Sequence, residues 1–211
     1  ALSWPLQAEH AFAGFLSHYK VEAGMEARYL KNELEKVINQ PCFLDSQDLR
    51  NMNQMITEGL LRSDVVVVLG TKDYFTRPYC LVELWCAQRF KRPIAMLSVA
   101  MRGFDWELAG EQLSDLEATL SYDSLAETKV SDAIQDVLNA AGEPGERSPS
   151  LHAIGEDIFA ALRLGERLET SARMCLPPEE SHRLLRARQA LHAARWERAG
   201  CRARGALVRR A

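Results

Sequence analysis

Apolar and polar positions along the first 141 residues follow two rhythms. Short apolar runs at 14–17, 42–44, 65–69 and 94–99 have the length of β-strands. Between them the apolar residues return at helical spacing. Leu30, Leu34, Val37 and Ile38 predict an amphipathic helix over about 24–39. Asp48 stands where it would cap a second helix, whose apolar positions Met52, Ile56 and Leu60 share one face. Residues 79–90 read as a third helix, and Val130, Ile134, Val137 and Leu138 mark a last one. The stretch 104–122 is expected to hold a short helix and a weak fifth strand. The run at 65–69 is β-branched and apolar on both faces, which suits a central parallel strand covered on both sides. Strands alternating with helices predict an α/β domain with a doubly wound parallel sheet of four to five strands.

The pattern changes at 142–150, GEPGERSPS, which concentrates Gly, Pro and Ser and reads as a linker. Lysine does not recur after Lys129. The expected organisation is therefore a domain over 1–141, a linker over 142–150 and a helical, arginine-rich C-terminal extension over 151–211, partly disordered. In that extension Leu151, Ile154, Ile158 and Leu162 form an apolar stripe, and Pro177 and Pro178 break the chain. From Arg173 onward there are ten arginines against Glu179, Glu180 and Glu197. Such a basic end fits nucleic acid or an acidic membrane surface through phosphate contacts. It lacks interleaved aromatics for base stacking, Trp196 standing alone, and a solvated helix is the plainer reading.

Composition narrows the class further. The longest apolar run, 65–69, falls far short of the ~20 residues that cross a bilayer, and Glu9 and His10 interrupt the N-terminal residues, which do not read as a secretory leader. Cys42, Cys80, Cys86, Cys175 and Cys201 show no CxxC spacing and an odd count. This favours a reducing, cytoplasmic setting and argues against a metal site.

Chemistry in such a sheet belongs at the carboxyl ends of the strands. Those positions are Ser17, His18, Tyr19 and Lys20 after the first strand, 45–53 after the second, 70–79 after the third and 100–104 after the fourth. SHYKVEAG offers neither GxGxxG nor GxxxxGK, so a dinucleotide fold and a P-loop are excluded. The third strand ends Leu69, Gly70, Thr71 without the aspartate a phosphorelay receiver needs.

FLSHYK, FLDSQDL, SDVVVVLGTKDYF and RPYCLVELW, in this order and spacing, resemble a Toll/interleukin-1 receptor (TIR) domain. The resemblance covers most of residues 11–141 and is weakest after Trp106. RPYCLVELW looks most like the plant branch, with its serine-aromatic-Cys-Leu-x-Glu-Leu pattern. The resemblance implies a flavodoxin-like architecture and one of two roles: adaptors that signal by homotypic association, or enzymes that cleave NAD+ between nicotinamide and ribose. In the enzymatic branch the catalytic glutamate maps onto Glu83. NAD+ would be the substrate, with no further cofactor, and activity would depend on assembly into a homo-oligomer through TIR–TIR contacts, other TIR proteins being further partners.

Nicotinamide leaves a pyridinium as a neutral molecule and needs no proton, so the difficulty is the positive charge that develops on the ribose. A single fixed carboxylate beside the sugar meets that demand. By the helical pattern, Leu81, Leu84 and Trp85 mark a buried face, with Glu83 on a different, partly exposed one. Tyr79, one turn before Glu83, is placed to stack on nicotinamide or adenine, or else simply covers the core. By resemblance Tyr19 and Lys20 reach the same cleft, Lys20 meeting a phosphate, and Asp45 and Ser17 line its floor. Their plainer roles are a solvated lysine, a turn or cap aspartate, and Ser17 and His18 satisfying backbone where the strand stops. Two positions depart from the family pattern. Met52 lies near the place of a glycine in the loop after the second strand, and Tyr79 stands where plant sequences more often carry Trp.

Overall fold

The structure, a computed structural model, describes residues 11–44 and 54–165, with side chains as far as Leu162. Asp45, Asp48, Met52 and the arginine-rich segment from Arg173 lie outside the described residues. Four strands, β1 (Gly14–His18), β2 (Cys42–Leu44), β3 (Val66–Gly70) and β4 (Ile94–Ser98), form an all-parallel sheet in the order β2-β1-β3-β4. This is a flavodoxin-like α/β arrangement. Leu16 pairs with Val67 and Ser17 with Val68 across the centre.

Alternation along β3 divides the interior. Val67 and Leu69 face one layer with Leu16, while Val66 and Val68 face the other with Phe15. The first layer is covered by α1 (Lys20–Ile38), through Ala23, Ala27, Leu30 and Leu34. Regular helix was predicted from about residue 24. The chain turns helical at Lys20 and is interrupted at Ala23 (φ −131°, ψ 17°), after which the predicted periodicity takes over. Asn39 ends the helix in a left-handed conformation, φ 51°.

The other layer is larger. It holds one π-helical turn (Met55–Gly59) running into a 3₁₀ turn (Leu60–Arg62), then α2 (Pro78–Arg89), α3 (Trp106–Ser114), α4 (Leu116–Leu120), α5 (Ala126–Ala140) and α6 (Leu151–Gly165). Two expectations are corrected here. The stretch 104–122 contains no fifth strand among the described residues. Its two helices start at aspartate caps, Asp105 accepting from the Glu107 and Leu108 amides at 2.8 and 3.0 Å and Asp115 from the Ala118 amide at 2.9 Å. A side-chain acceptor at each start satisfies amides that a helix would otherwise leave open.

The second correction concerns the boundary at 141. Leu151, Ile154, Ile158 and Leu162 are buried in the same core as Trp85 and Val130. Each contributes about 1.5–3 kcal/mol relative to exposure. The expected linker is tied down as well. Glu143 and Glu146 each meet the Arg89 guanidinium at 2.8 Å, and the Ser148 amide donates to Gln135 Oε1 at 3.2 Å. Ser150 then caps α6 by accepting from the Ala153 amide, 3.3 Å. An apolar stripe on a helix needs a partner surface, and here α2, α3 and β4 supply it. No described helix is long and apolar enough to cross a membrane.

The docking of α6 is close enough to be tested by one methyl group. A Cβ at Gly155 would stand 2.2 Å from the Leu113 carbonyl oxygen, so Gly155→Ala is expected to destabilise the fold by about 1–3 kcal/mol. Urea unfolding followed by circular dichroism checks this. A chain ended at residue 141 is expected to unfold at lower urea than one ended at 165, and equal midpoints would mean that α6 does not belong to the core.

Candidate functional site

Strand order reverses between β1 and β3, because the chain leaves β1 to one side for β2 and returns to its other side for β3. The crevice beyond their carboxyl ends is where a ligand finds backbone and side chains converging in this architecture. Three polar side chains meet there. Ser17, next to last in β1, is 1% exposed. Tyr74, in a 3₁₀ turn just after β3 (Tyr74–Thr76), is 0% exposed. Glu83, in the middle of α2, is 7% exposed.

Ser17 Oγ donates to Glu83 Oε2 and is also hydrogen-bonded to Tyr74 Oη. An ionised carboxylate only accepts, and serine has a single proton. The donors therefore run in one direction, from the Tyr74 hydroxyl to Ser17 and from Ser17 to Glu83. Burial pushes the Tyr74 phenol well above its usual range, the nearby Cys80 and Glu83 charges adding to it and the Ser17 hydrogen bond opposing. Burial likewise raises the Cys80 thiol, with Glu83 adding and Arg77 opposing. Both groups stay protonated at neutral pH. Cys80 Sγ donates to the His18 carbonyl at 3.7 Å, which pins the first turn of α2 to the end of β1.

Glu83 was expected on a partly exposed face, and the structure corrects this. Pro78 and every residue from Cys80 to Ala87 are buried, because α2 is enclosed by the sheet on one side and by α5 and α6 on others. Trp85 Nε1 reaches across to Asp157 Oδ2 of α6 at 3.2 Å. A carboxylate so placed is not a solvated surface charge, and retaining it requires polar partners.

The remaining predicted residues divide. Tyr19 is half-buried at the start of α1 and lies at the rim, its ring beneath the Arg77 guanidinium with 4.6 Å from Cζ to centroid. Tyr79 is half-buried, and the Lys129 ammonium is raised chiefly by its hydrogen bond to Asp123, with Tyr79 adding a little. Lys20 is exposed on the first turn of α1, and no hydrogen bond or ion pair joins it to the Ser17, Tyr74 and Glu83 group. His18 keeps a local contact, Nδ1 to the Leu16 carbonyl at 3.4 Å. Among the described residues no group of three or more His, Cys, Asp or Glu side chains has the arrangement to hold a metal.

Sequence reading missed Tyr74, Arg77 and Tyr122. The signal for Tyr74 is an aromatic pair, Tyr74 and Phe75, three polar residues beyond the carboxyl end of the central strand, in a loop that is ordinarily polar throughout. Arg77 precedes the proline that opens α2, and its importance depends on two rings that are remote in sequence. No protein-family model matches this chain, and no curated protein matches it at a significant level.

The buried thiols and phenol carry a pH consequence. The folded Cys42 thiol is pushed up to about 11 by burial, with Glu35 adding, and burial also raises Cys80, Cys86 and Tyr74. In the unfolded chain thiols ionise near ~8.5. The unfolded chain then binds fewer protons than the folded one as pH rises past that value, so stability is full below about pH 8 and falls through pH 9–11. Urea midpoints across pH 7–10.5 should fall accordingly. In the same range of conditions peptide mapping should find Cys42, Cys80 and Cys86 unmodified by iodoacetamide at pH 8 in the folded protein and modified in urea.

Proposed function

We propose that the described domain is a TIR-type NAD+-cleaving enzyme in which Glu83 is the catalytic carboxylate. The observation that carries this reading is a single carboxylate buried at the switch point of a parallel sheet and held by a serine from β1 and a tyrosine from the turn after β3. The burial is costly for stability, and a strongly buried, partnered acid in the crevice of such a sheet is the usual mark of a working group. The motifs FLSHYK and RPYCLVELW support the family reading, since they supply Ser17 and Glu83 respectively.

The chemistry asks little of the protein. The bond between nicotinamide nitrogen and ribose C1′ breaks with its electron pair leaving on nicotinamide, which departs neutral. The ribose is left with positive charge shared between C1′ and the ring oxygen. Glu83 stabilises that charge from a fixed position, and water or a nucleophile of the same molecule then attacks C1′ and loses its proton. The hydrogen-bonded chain from Tyr74 through Ser17 sets the carboxylate's position before the reaction begins, so no reorganisation is needed as charge develops. No proton donor to the leaving group is required, which fits a group whose other members, Tyr74 and Cys80, stay protonated.

A second reading is a TIR module that works by association alone. It is favoured by an exposed apolar stripe on α1, Val21 and Met25 at 82% exposure each and Tyr29 at 47%, whose spacing puts them on one face. The same stripe also serves an enzyme that acts as a homo-oligomer.

The deciding experiment is nicotinamide release from NAD+ by the full chain at high protein concentration. Glu83→Gln keeps an acceptor for Ser17 and removes a buried charge, so it should fold with a melting temperature at or above that of the parent. It should lose about 10²-fold or more in rate. No release by the parent, together with demonstrated self-association, would select the association module.

A further inference from the structure

The rim of the crevice carries an arginine in an unusual setting. Arg77 directly precedes α2, and its guanidinium lies between two aromatic rings, 4.6 Å from the Tyr19 centroid and 5.6 Å from that of Tyr122. Tyr122 is itself fixed, its hydroxyl donating to the Thr76 carbonyl at 2.7 Å. Aromatic faces hold a guanidinium flat and in place without satisfying its N–H donors in the plane. No carboxylate lies within ion-pair distance of Arg77 among the described residues. Arg89 and Arg102, by contrast, are taken up by carboxylates, Glu143 and Glu146 for the first and Glu26 for the second.

An acid near Arg77 is already engaged by other partners. Asp123 is the nearby acid, and it is engaged by the Lys129 ammonium and by the Leu125 amide at 3.0 Å, which hold it below its ordinary range, the Arg77 charge adding a little. Arg77 thus stands on an aromatic rim of Tyr19 and Tyr122, with Asp123 already taken up by Lys129. The positive end of α2 lies at the same place, with no acidic residue in its first turn.

The position relative to Glu83 is set by the helix. Arg77 is the residue before the helix and Glu83 lies six positions on, roughly 9 Å along the axis at about 1.5 Å each. The segment after β1 reinforces this register. Ser17 holds Glu83, and two residues later Tyr19 lies under Arg77.

We infer that Arg77, held between Tyr19 and Tyr122, is the binding site for the diphosphate of a dinucleotide, and that it places the nicotinamide ribose against Glu83. This rests on the NAD+ reading for its dinucleotide and not for its anion. A planar guanidinium fork with free in-plane donors matches two phosphate oxygens at once. Tyr19 and Tyr122 act as positioning residues. Lys20, exposed on the first turn of α1, is not needed for the contact.

The test measures binding and turnover on the full chain. Calorimetric titration with inorganic pyrophosphate and with ADP-ribose should show binding by the parent and by Glu83→Gln. Arg77→Gln should weaken both by about ten- to hundredfold. Arg77→Lys, which keeps charge but not the fork, should fall between. Tyr122→Leu, which leaves Arg77 in the chain and removes one ring, should weaken both ligands as well, and it serves in place of Arg77→Gln if that variant fails to fold by circular dichroism. In turnover, Arg77→Gln should raise KM for NAD+ more than it lowers kcat.

The outcomes separate the two readings. Pyrophosphate binding that depends on Arg77, with no nicotinamide release by the parent, keeps the anion site and removes the NAD+ reading. Glu83-dependent release with the same KM and the same pyrophosphate affinity in parent and Arg77→Gln overturns the anion site and keeps the enzyme. No binding of pyrophosphate or ADP-ribose by the parent at millimolar concentration also overturns it.

Discussion

A carboxylate buried in the middle of a helix is the constraint around which the larger layer of this protein is arranged. Glu83 must have hydrogen-bond donors that reach it without water, and the described donor comes from another part of the chain, at the carboxyl end of β1. Ser17 is in turn bonded to Tyr74, which comes from the turn after β3. The three meet because β1 and β3 are adjacent in the sheet although the whole of α1 and β2 lies between them in sequence. The reversed strand order is thus what brings Ser17 and Tyr74 to the acid, at the edge of the sheet where this architecture opens a crevice.

Burial of α2 on nearly all sides follows from the same arrangement. Its apolar positions, Leu81, Val82, Leu84, Trp85 and Cys86, leave no face for solvent. One helix against one sheet would expose half of them. The enclosure is completed by α5 and α6, with the Trp85 indole bonded to Asp157 and the Arg89 guanidinium bridging Glu143 and Glu146. A helix that looked like an appendage is therefore part of what encloses α2. Lower local polarity strengthens every charge interaction inside the site, which is the condition for one carboxylate to have a large effect.

Charge is graded outward from the carboxylate. The interior neighbours, Ser17, Tyr74 and Cys80, are neutral donors at physiological pH, and the cations Arg77 and Lys129 stand at the rim. The opposite layer has its own fastening at the same edge of the sheet. Glu26 of α1 accepts two hydrogen bonds from Arg102 at 3.0 and 2.6 Å, and Glu22 accepts from the Asp73 amide at 3.2 Å. These contacts join α1 to the loops after β3 and β4, so the strand ends that carry the site are braced from both sides. Arg102 is half-exposed, and the pair's contribution is correspondingly modest.

The amino-acid sequence by itself determined the strand and helix rhythm, the parallel sheet, the central place of the 65–69 run and the strand-end position of Ser17, because these depend on period, length and residue type within short windows, whereas Glu83 was a candidate through the resemblance of RPYCLVELW to a family motif. Regular helix in α1, the strand at Cys42–Leu44 and the buried face of Leu81, Leu84 and Trp85 were legible for that reason. Only the tertiary structure decided that Glu83 is buried rather than solvated, since the group that meets it, Ser17 with Tyr74 behind it, comes from the end of β1 and the turn after β3. It also decided that residues 151–162 complete the core, an outcome local composition obscures because Gly, Pro and Ser mark a tight connection as readily as a free linker. The Arg77 setting was illegible for a related reason. Its two rings, Tyr19 and Tyr122, are separated by about half the chain, and a contact between side chains so far apart is specified by how the sheet and helices pack, not by any spacing a linear pattern can display.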